Sequence, residues 1–195
     1  MNIALVVNSR AGAGRAVKLS SQISALLTAR KIAYKLIEGS SAEDSLKILG
    51  DFHFHTPFTA IISVGGDGLA HALFSVAVDL QLPLLVAPGG TGNDFARQVG
   101  TFGKDAAALI DLLADSRPSL IDLGKVSTHG RELIFGQVLS TGFDSLVNER
   151  ANSFKFVRGR MKYILATLLE LPTFVPRTYS LNVDGKTFET GAMLV

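Results

Sequence analysis

The chain has 195 residues, is 47% hydrophobic, carries a formal net charge of +2 with a pI near 9.0, and contains no cysteine. That is enough apolar material for one full core and part of a second. The missing thiols exclude disulfides, thiolate metal sites and cysteine nucleophiles. The mild charge, with no dense Lys/Arg stripe interleaved with aromatics, argues against a nucleic-acid partner. No apolar run approaches the roughly 18 residues of a membrane-spanning helix. Met1 leads straight into Asn2-Ile3-Ala4-Leu5-Val6-Val7 without a basic leader, so the expected location is the cytoplasm.

Residues 3–7 form a continuous apolar run, the pattern of a strand buried on both faces of a parallel sheet. The turn Asn8-Ser9-Arg10-Ala11-Gly12-Ala13-Gly14-Arg15 follows. It precedes a helical pattern with Val17, Leu19, Ile23, Leu26 and Leu27 on one face. This turn lacks the third glycine of a dinucleotide fingerprint and the Gly-Lys-Ser/Thr of a P-loop. Its amides can still meet a phosphate at the helix N-terminus. Residues 33–38 read as a second strand. Ser41 with Asp44 then marks a capping box for a helix reaching about Leu49, which leaves His53 and His55 as exposed loop histidines without acidic or thiolate company.

The run Ala60-Ile61-Ile62-Ser63-Val64 breaks into Gly65-Gly66-Asp67-Gly68, a strand that delivers one carboxylate among glycines. A helix over about 69–78 follows. Leu84-Leu85-Val86-Ala87 is a fourth strand, and it ends in Pro88-Gly89-Gly90-Thr91-Gly92-Asn93-Asp94-Phe95-Ala96-Arg97. In a parallel sheet both glycine turns open at the same carboxyl edge, where ligands bind in open α/β folds. Short helices are expected from about Asp94 and over 104–113. The alternation argues for a three-layer, doubly wound, mostly parallel α/β domain.

After Asp122 the pattern changes to strands facing strands, over 132–141 and 177–183, with a plain hairpin turn at Asp184-Gly185. Between these lies a helical pair over 144–151 and 159–171. The expected division is a nucleotide-binding α/β domain over 1–122 and an incomplete first part of a β-rich domain over 123–195. Ala192-Met193-Leu194-Val195 reads as a strand cut in mid-course, which suggests a longer protein. Residues 148–163 carry Arg150, Lys155, Arg158, Arg160 and Lys162 against only Glu149, ahead of Tyr163, Ile164, Leu165, Leu168 and Leu169. Such a segment is either a solvated helix face beside the core or a contact with an anionic membrane surface.

With these motifs in place, the chain resembles the diacylglycerol kinase catalytic-domain family, which includes sphingosine kinases and bacterial lipid kinases. The resemblance rests on the first turn through Gly14, on Gly65-Gly66-Asp67-Gly68, on the Gly90 to Arg97 segment and on Gly142-Phe143-Asp144. It implies an NAD kinase/diacylglycerol kinase-like fold and transfer of the γ-phosphoryl of Mg-ATP to a lipid hydroxyl of diacylglycerol, a sphingoid base or a related acceptor. It further implies a nucleotide cradle of Asn8, Gly12, Gly14, Gly65, Gly66, Gly68 and Thr91. Asp67 would act on the metal side or poise the acceptor hydroxyl, and Asn93 would hydrogen-bond the nucleotide or order its loop. Asp94 and Asp122 would bind Mg²⁺ through water, or instead cap helices and pair with Arg97 or Arg15.

Three departures stand out. Leu69-Ala70-His71-Ala72 follows the signature where many bacterial members have Thr, an apolar residue, Asn and Glu. Ser9 replaces a proline, and a threonine is missing near Ile37 and Glu38. The resemblance places the catalytic base and a structural metal site beyond residue 195, so the piece alone is expected to be inactive. Two other readings compete: an NAD kinase-like small-molecule kinase and, given Ala72, a catalytically inactive nucleotide-binding module. The residues name neither the lipid acceptor nor an oligomeric state.

Overall fold

The structure, a computed structural model, describes residues 1–195 apart from Ser116, His129, Lys155 and Arg158, and apart from the side chains of Asp115 and Arg160. The chain divides into two compact units, Met1–Gln137 and Val138–Val195.

The first unit is built on a four-stranded parallel sheet of β1 (Asn2–Val7), β2 (Ala33–Ile37), β3 (Ala60–Gly65) and β4 (Leu84–Pro88), in the order β2-β1-β3-β4. Five helices accompany it: α1 (Arg15–Ala29), α2 (Ala42–His55), α3 (Asp67–Asp79), α4 (Asp94–Gln98) and α5 (Ala106–Asp115). Side chains alternate across a strand, and both faces of this sheet are covered. Ile3, Leu5, Val7, Ile62 and Val64 pack with Ile23 and Leu27 of α1 and Leu109 and Ile110 of α5. Ala4, Val6, Ile37 and Ile61 pack on the other side with Leu49, Leu69 and Leu73 of α2 and α3. That is why β1 and β3 are apolar without alternation. Each fully buried branched side chain contributes about 2 kcal/mol through removal from water.

The three-layer parallel architecture read from the sequence is present, with differences at element ends. Val17 lies off the buried face of α1, which is formed by Ala16, Ser20, Ile23 and Leu27. The second helix runs on through Gly50 to His55, so His53 and His55 sit in its last turn and not in a loop. His53 is half-buried and its Nδ1 accepts the N–H of Phe58 at 3.1 Å, closing the chain back onto the helix end. The start of α2 is as expected: Ser41 Oγ accepts the N–H of Asp44 at 3.1 Å, and Asp44 Oδ2 accepts that of Ser40 at 2.8 Å.

Two short antiparallel strands complete this unit, β5 (Gly124–Thr128) and β6 (Arg131–Phe135). The expected strand over 132–141 therefore ends early. Leu123 and Ile134 pack against the cluster of Ala70, Phe74, Val86, Phe95 and Ala96. The second unit holds α6 (Phe143–Ser153), α7 (Arg160–Glu170) and the hairpin of β7 (Arg177–Val183) and β8 (Lys186–Ala192). Asp184 and Gly185 make its turn at φ of 51° and 81°, the backbone twist a two-residue hairpin favours. Its core is Phe143, Val147, Ala151 and Ala166, joined by Phe154, Phe174 and Met193.

Candidate nucleotide site

The register of the sheet decides where the glycine turns open. Val7 pairs with Val64 and Gly65 pairs with Pro88, so β1, β3 and β4 end together at one edge. The ladder continues by one bond on each side: the N–H of Asn8 donates to Val64 C=O at 3.0 Å and that of Gly89 to Gly65 C=O at 2.8 Å. In the first turn Asn8 Oδ1 accepts the N–H of Arg10 at 3.2 Å and its carbonyl that of Ala11 at 3.0 Å. The chain then passes Gly12 at φ +63° and Gly14 at φ +92°, directly before α1. A Cβ on Gly12 would stand 2.1 Å from the carbonyl oxygen of Gly89, so this turn and the β4 turn meet main chain to main chain.

The β3 and β4 turns approach one another as closely. A Cβ on Gly90 would lie 2.4 Å from the α-carbon of Gly66 and 2.9 Å from Asn93 Oδ1. Asn93 is buried in the left-handed region at φ +58°. Its side chain grips Gly90 at both ends, with Oδ1 accepting the Gly90 N–H at 2.8 Å and Nδ2 donating to the Gly90 carbonyl at 3.0 Å. Asn93 thus orders the loop, and Thr91 is left at its exposed tip.

Asp67, half-buried in the first turn of α3, accepts the N–H of Phe95 on Oδ1 at 3.0 Å and so caps α4 from a distant part of the chain. Its Oδ2 lies against Gly92, where a Cβ would sit 2.8 Å away. Among the described residues the N–H groups of Gly66, Gly68, Thr91 and Gly92 donate to no protein acceptor. Open amides in close-packed glycine turns beside a helix N-terminus form a surface complementary to an anion such as a phosphate. Ser63, on β3 two residues before Gly65, is buried with its hydroxyl unpartnered among the described residues.

The acidic candidates are less concentrated. Asp94 opens α4 with its carboxylate 70% exposed, and it pairs with Arg97 at 3.1 Å. Arg97 also donates to the Gly92 carbonyl and stacks over Phe102, with 3.8 Å to the ring centroid. Asp122 is exposed in the irregular stretch between α5 and β5 and makes no ion pair or hydrogen bond among the described residues. Hence Asn8, Gly12, Gly14, Gly65, Gly66, Asp67, Gly68, Thr91, Asn93 and Asp94 share the sheet edge, whereas no contact ties Asp122 to it. No group of three or more His, Asp or Glu suited to a metal occurs among the described residues. A magnesium ion suits oxygen donors and is commonly held by one or two carboxylates with substrate phosphates completing its shell. The free oxygen of Asp67 and the carboxylate of Asp94 fit that pattern. The Asp94–Arg97 pair is the alternative expected from the sequence, and the hold of Arg97 on the Gly92 carbonyl goes beyond it; its place three positions after Asp94 is the only local signal.

A parallel sheet whose glycine turns meet at one edge beside a carboxylate, continued by a β-rich unit, is the architecture of the lipid-kinase class. The family model described as the diacylglycerol kinase catalytic domain matches residues 2–126, and that described as the YegS C-terminal NAD kinase beta sandwich-like domain matches residues 137–195. The chain belongs to the diacylglycerol kinase catalytic domain family. It is 36% identical over 184 residues to a diacylglycerol kinase of Mycobacterium tuberculosis, covering 94% of this chain and 59% of that protein. It is 29% identical over 140 residues to a diacylglycerol kinase of Bacillus subtilis, covering 70% and 45%. A diacylglycerol kinase crystal structure from Bacillus anthracis matches the fold with a TM-score of 0.62 at 23% identity, over 99% of this chain and 62% of that one. The chain thus spans less than two thirds of the length of these relatives.

Proposed function

We propose that the full-length protein is an ATP- and Mg²⁺-dependent kinase that transfers the γ-phosphoryl group to the hydroxyl of a lipid such as diacylglycerol or a sphingoid base. Residues 1–122 would supply the nucleotide-binding part, and 123–195 would open the β-rich part. The observation that carries the reading is the packing of Gly12 on Gly89 and of Gly66 on Gly90, which leaves the amides of Gly66, Gly68, Thr91 and Gly92 open at one edge. Phosphoryl transfer requires mainly positioning and neutralisation of charge on the phosphoryl oxygens. Main-chain donors at the start of α3 suit the phosphates, with Asn8, Gly12, Gly14 and Gly65 shaping the cradle.

Asp67 holds the β4 loop through Phe95 with one oxygen and keeps the other for the metal side or the acceptor hydroxyl. Asn93 keeps Gly90 and Thr91 in position. When bound, magnesium would offset charge between phosphate oxygens; Asp94 and Asp67, with Asp122 as a further candidate, are the residues to hold it. Membership of a lipid-kinase family supports the acceptor class.

The test is ADP release by the full-length protein with Mg-ATP against micellar diacylglycerol, sphingosine and NAD. Lipid-dependent turnover is expected. Turnover with NAD and none with lipid would replace the reading by an NAD kinase-like one, and saturable ATP binding without turnover would favour an inactive module.

A further inference from the structure

The open amides of Gly66, Gly68, Thr91 and Gly92 are neutral donors, whereas a nucleoside triphosphate keeps negative charge even with magnesium bound. The carboxylate of Asp67 stands at the same edge and pairs with no cation among the described residues, so it adds to that charge. A site of this kind calls for a fixed cation aimed at the phosphates. Three arginines belong to the segments that meet there: Arg10 and Arg15 around the first turn and Arg97 after the β4 turn. Arg97 is committed to Asp94, to the Gly92 carbonyl and to the face of Phe102. Arg10 is exposed, and among the described residues only its main-chain N–H is held, by Asn8 Oδ1, which leaves its guanidinium unanchored.

Arg15 is anchored at one end and open at the other. It begins α1 directly after Gly14, and its Nε donates to the Gly12 carbonyl at 3.0 Å, the same oxygen that accepts its own main-chain N–H. A Cβ on Gly12 would lie 3.0 Å from that Nε and against the Gly89 carbonyl. The guanidinium is thereby pinned where the first turn meets the β4 turn, one residue from Gly90. Its two terminal nitrogens make no hydrogen bond or ion pair among the described residues, and the residue is exposed. The carboxylates that the sequence offered as partners do not take it: Asp94 pairs with Arg97, and Asp122 pairs with no cation among the described residues. No acidic residue precedes Glu38 in the chain, so none lies near Arg15 in sequence. A guanidinium held through Nε still presents a planar fork of N–H groups that matches two phosphate oxygens, and the anchor removes part of the entropy lost on binding.

We infer that Arg15 is a phosphate-binding residue of this site: its terminal nitrogens hold a phosphate of the bound nucleoside triphosphate, while Nε keeps the first turn in shape. The inference rests on the nucleotide-binding part of the kinase reading. To a cradle of main-chain amides it adds a positively charged side chain that the turn itself holds in place.

The test is calorimetric titration of the full-length protein with Mg-ATP, alongside thermal unfolding, for the parent, Arg15→Gln and Arg15→Lys. Glutamine carries an N–H donor at the side-chain position of Nε, so it keeps the bond to Gly12 but loses the charge and the fork. Arg15→Gln should bind ATP at least about tenfold more weakly, the size of a lost charge-assisted hydrogen bond, with its melting midpoint unchanged. Arg15→Lys keeps the charge without the anchor and should bind between the two. Parental affinity in Arg15→Gln would overturn the inference. So would a lysine variant no better than the glutamine one, or a weakened affinity accompanied by a lowered melting midpoint in Arg15→Gln, which would assign Arg15 to the shape of the turn alone. ATP binding by the parent that Arg15→Gln leaves intact would refute the inference and spare the kinase reading, whereas no saturable ATP binding by the parent would refute both. The expected loss in Arg15→Gln, found in a parent that shows no lipid-dependent ADP release, would uphold the inference and refute the kinase reading.

Discussion

The carboxylate of Asp67 at the start of α3 accepts the N–H of Phe95 at the start of α4, a hydrogen bond of 3.0 Å between residues 28 positions apart. One side chain therefore ties the β3 turn to the β4 turn, and its substitution has two separable effects. Asp67→Ala leaves the Phe95 amide unpaired at a half-buried site and should lower stability by about 1–2 kcal/mol. Asp67→Asn retains an acceptor oxygen and should lose much less. Both should abolish phosphoryl transfer in the full-length protein. Urea unfolding alongside ADP release separates the two effects, and near-parental turnover by either variant would refute the role proposed for the carboxylate.

The glycines of the site divide into those that packing requires and those it does not. A Cβ on Gly90 meets the Gly66 main chain at 2.4 Å, so Gly90→Ala should cost about 1–3 kcal/mol through a forced backbone shift. Gly68 sits in the first turn of α3 with nothing within 4 Å of an added Cβ, so Gly68→Ala should leave stability unchanged or raise it by up to about 1 kcal/mol. If the open amides bind phosphate, the same Gly68→Ala protein should bind ATP several-fold more weakly. Calorimetric titration with ATP that finds full affinity would remove Gly68 from the cradle.

Asn93 is buried at positive φ and its amide is engaged at both ends. Asn93→Ala strands the Gly90 N–H and carbonyl and loses the side chain that tolerates the left-handed region, for an expected cost of about 2–3 kcal/mol. Asn93→Asp keeps the acceptor and loses the donor, so it should fall between the two by chemical denaturation. A neutral Asn93→Ala would show that the loop holds its shape without this pair.

Asp44 at the start of α2 has its carboxyl held below its ordinary value of 3.8, chiefly by the Ser40 N–H and next by the Ser40 hydroxyl. Because the folded state favours the ionised form, this contribution is present above that value and is lost as the pH falls through the depressed folded pKa. An NMR titration of the Asp44 carboxyl should therefore show a midpoint below 3.8. Asp44→Asn should lessen the acid sensitivity of unfolding in that window, and a midpoint at or above the ordinary value would contradict the capping geometry.

Much of the first unit was legible because its physics is local. Apolar runs such as Ile3 to Val7 and Ala60 to Val64 end in glycines, and in a parallel sheet such breaks fall at one edge. The misreadings came where distant contacts decide. Helix α2 continues to His55, past the end expected near Leu49, since Gly50 is unobstructed and Phe58 returns to bond His53. The strand expected through Thr141 stops at Phe135, and Thr141 instead donates its N–H to the Val195 carbonyl at 2.8 Å. The bond from Phe95 to Asp67 has no signature, because capping of a short helix by a residue 28 positions away follows from packing and not from any spacing in the chain.

The strand order β2-β1-β3-β4 places β1 between two strands, β2 and β3, that both follow it in the chain. During translation β1 gains its first partner with residues 33–37, but its other edge stays bare until residue 65 has left the ribosome. Asn8 likewise waits for Val64. The nascent chain must therefore carry an apolar strand with one bare edge until β3 has emerged, a window in which holding chaperones compete with aggregation.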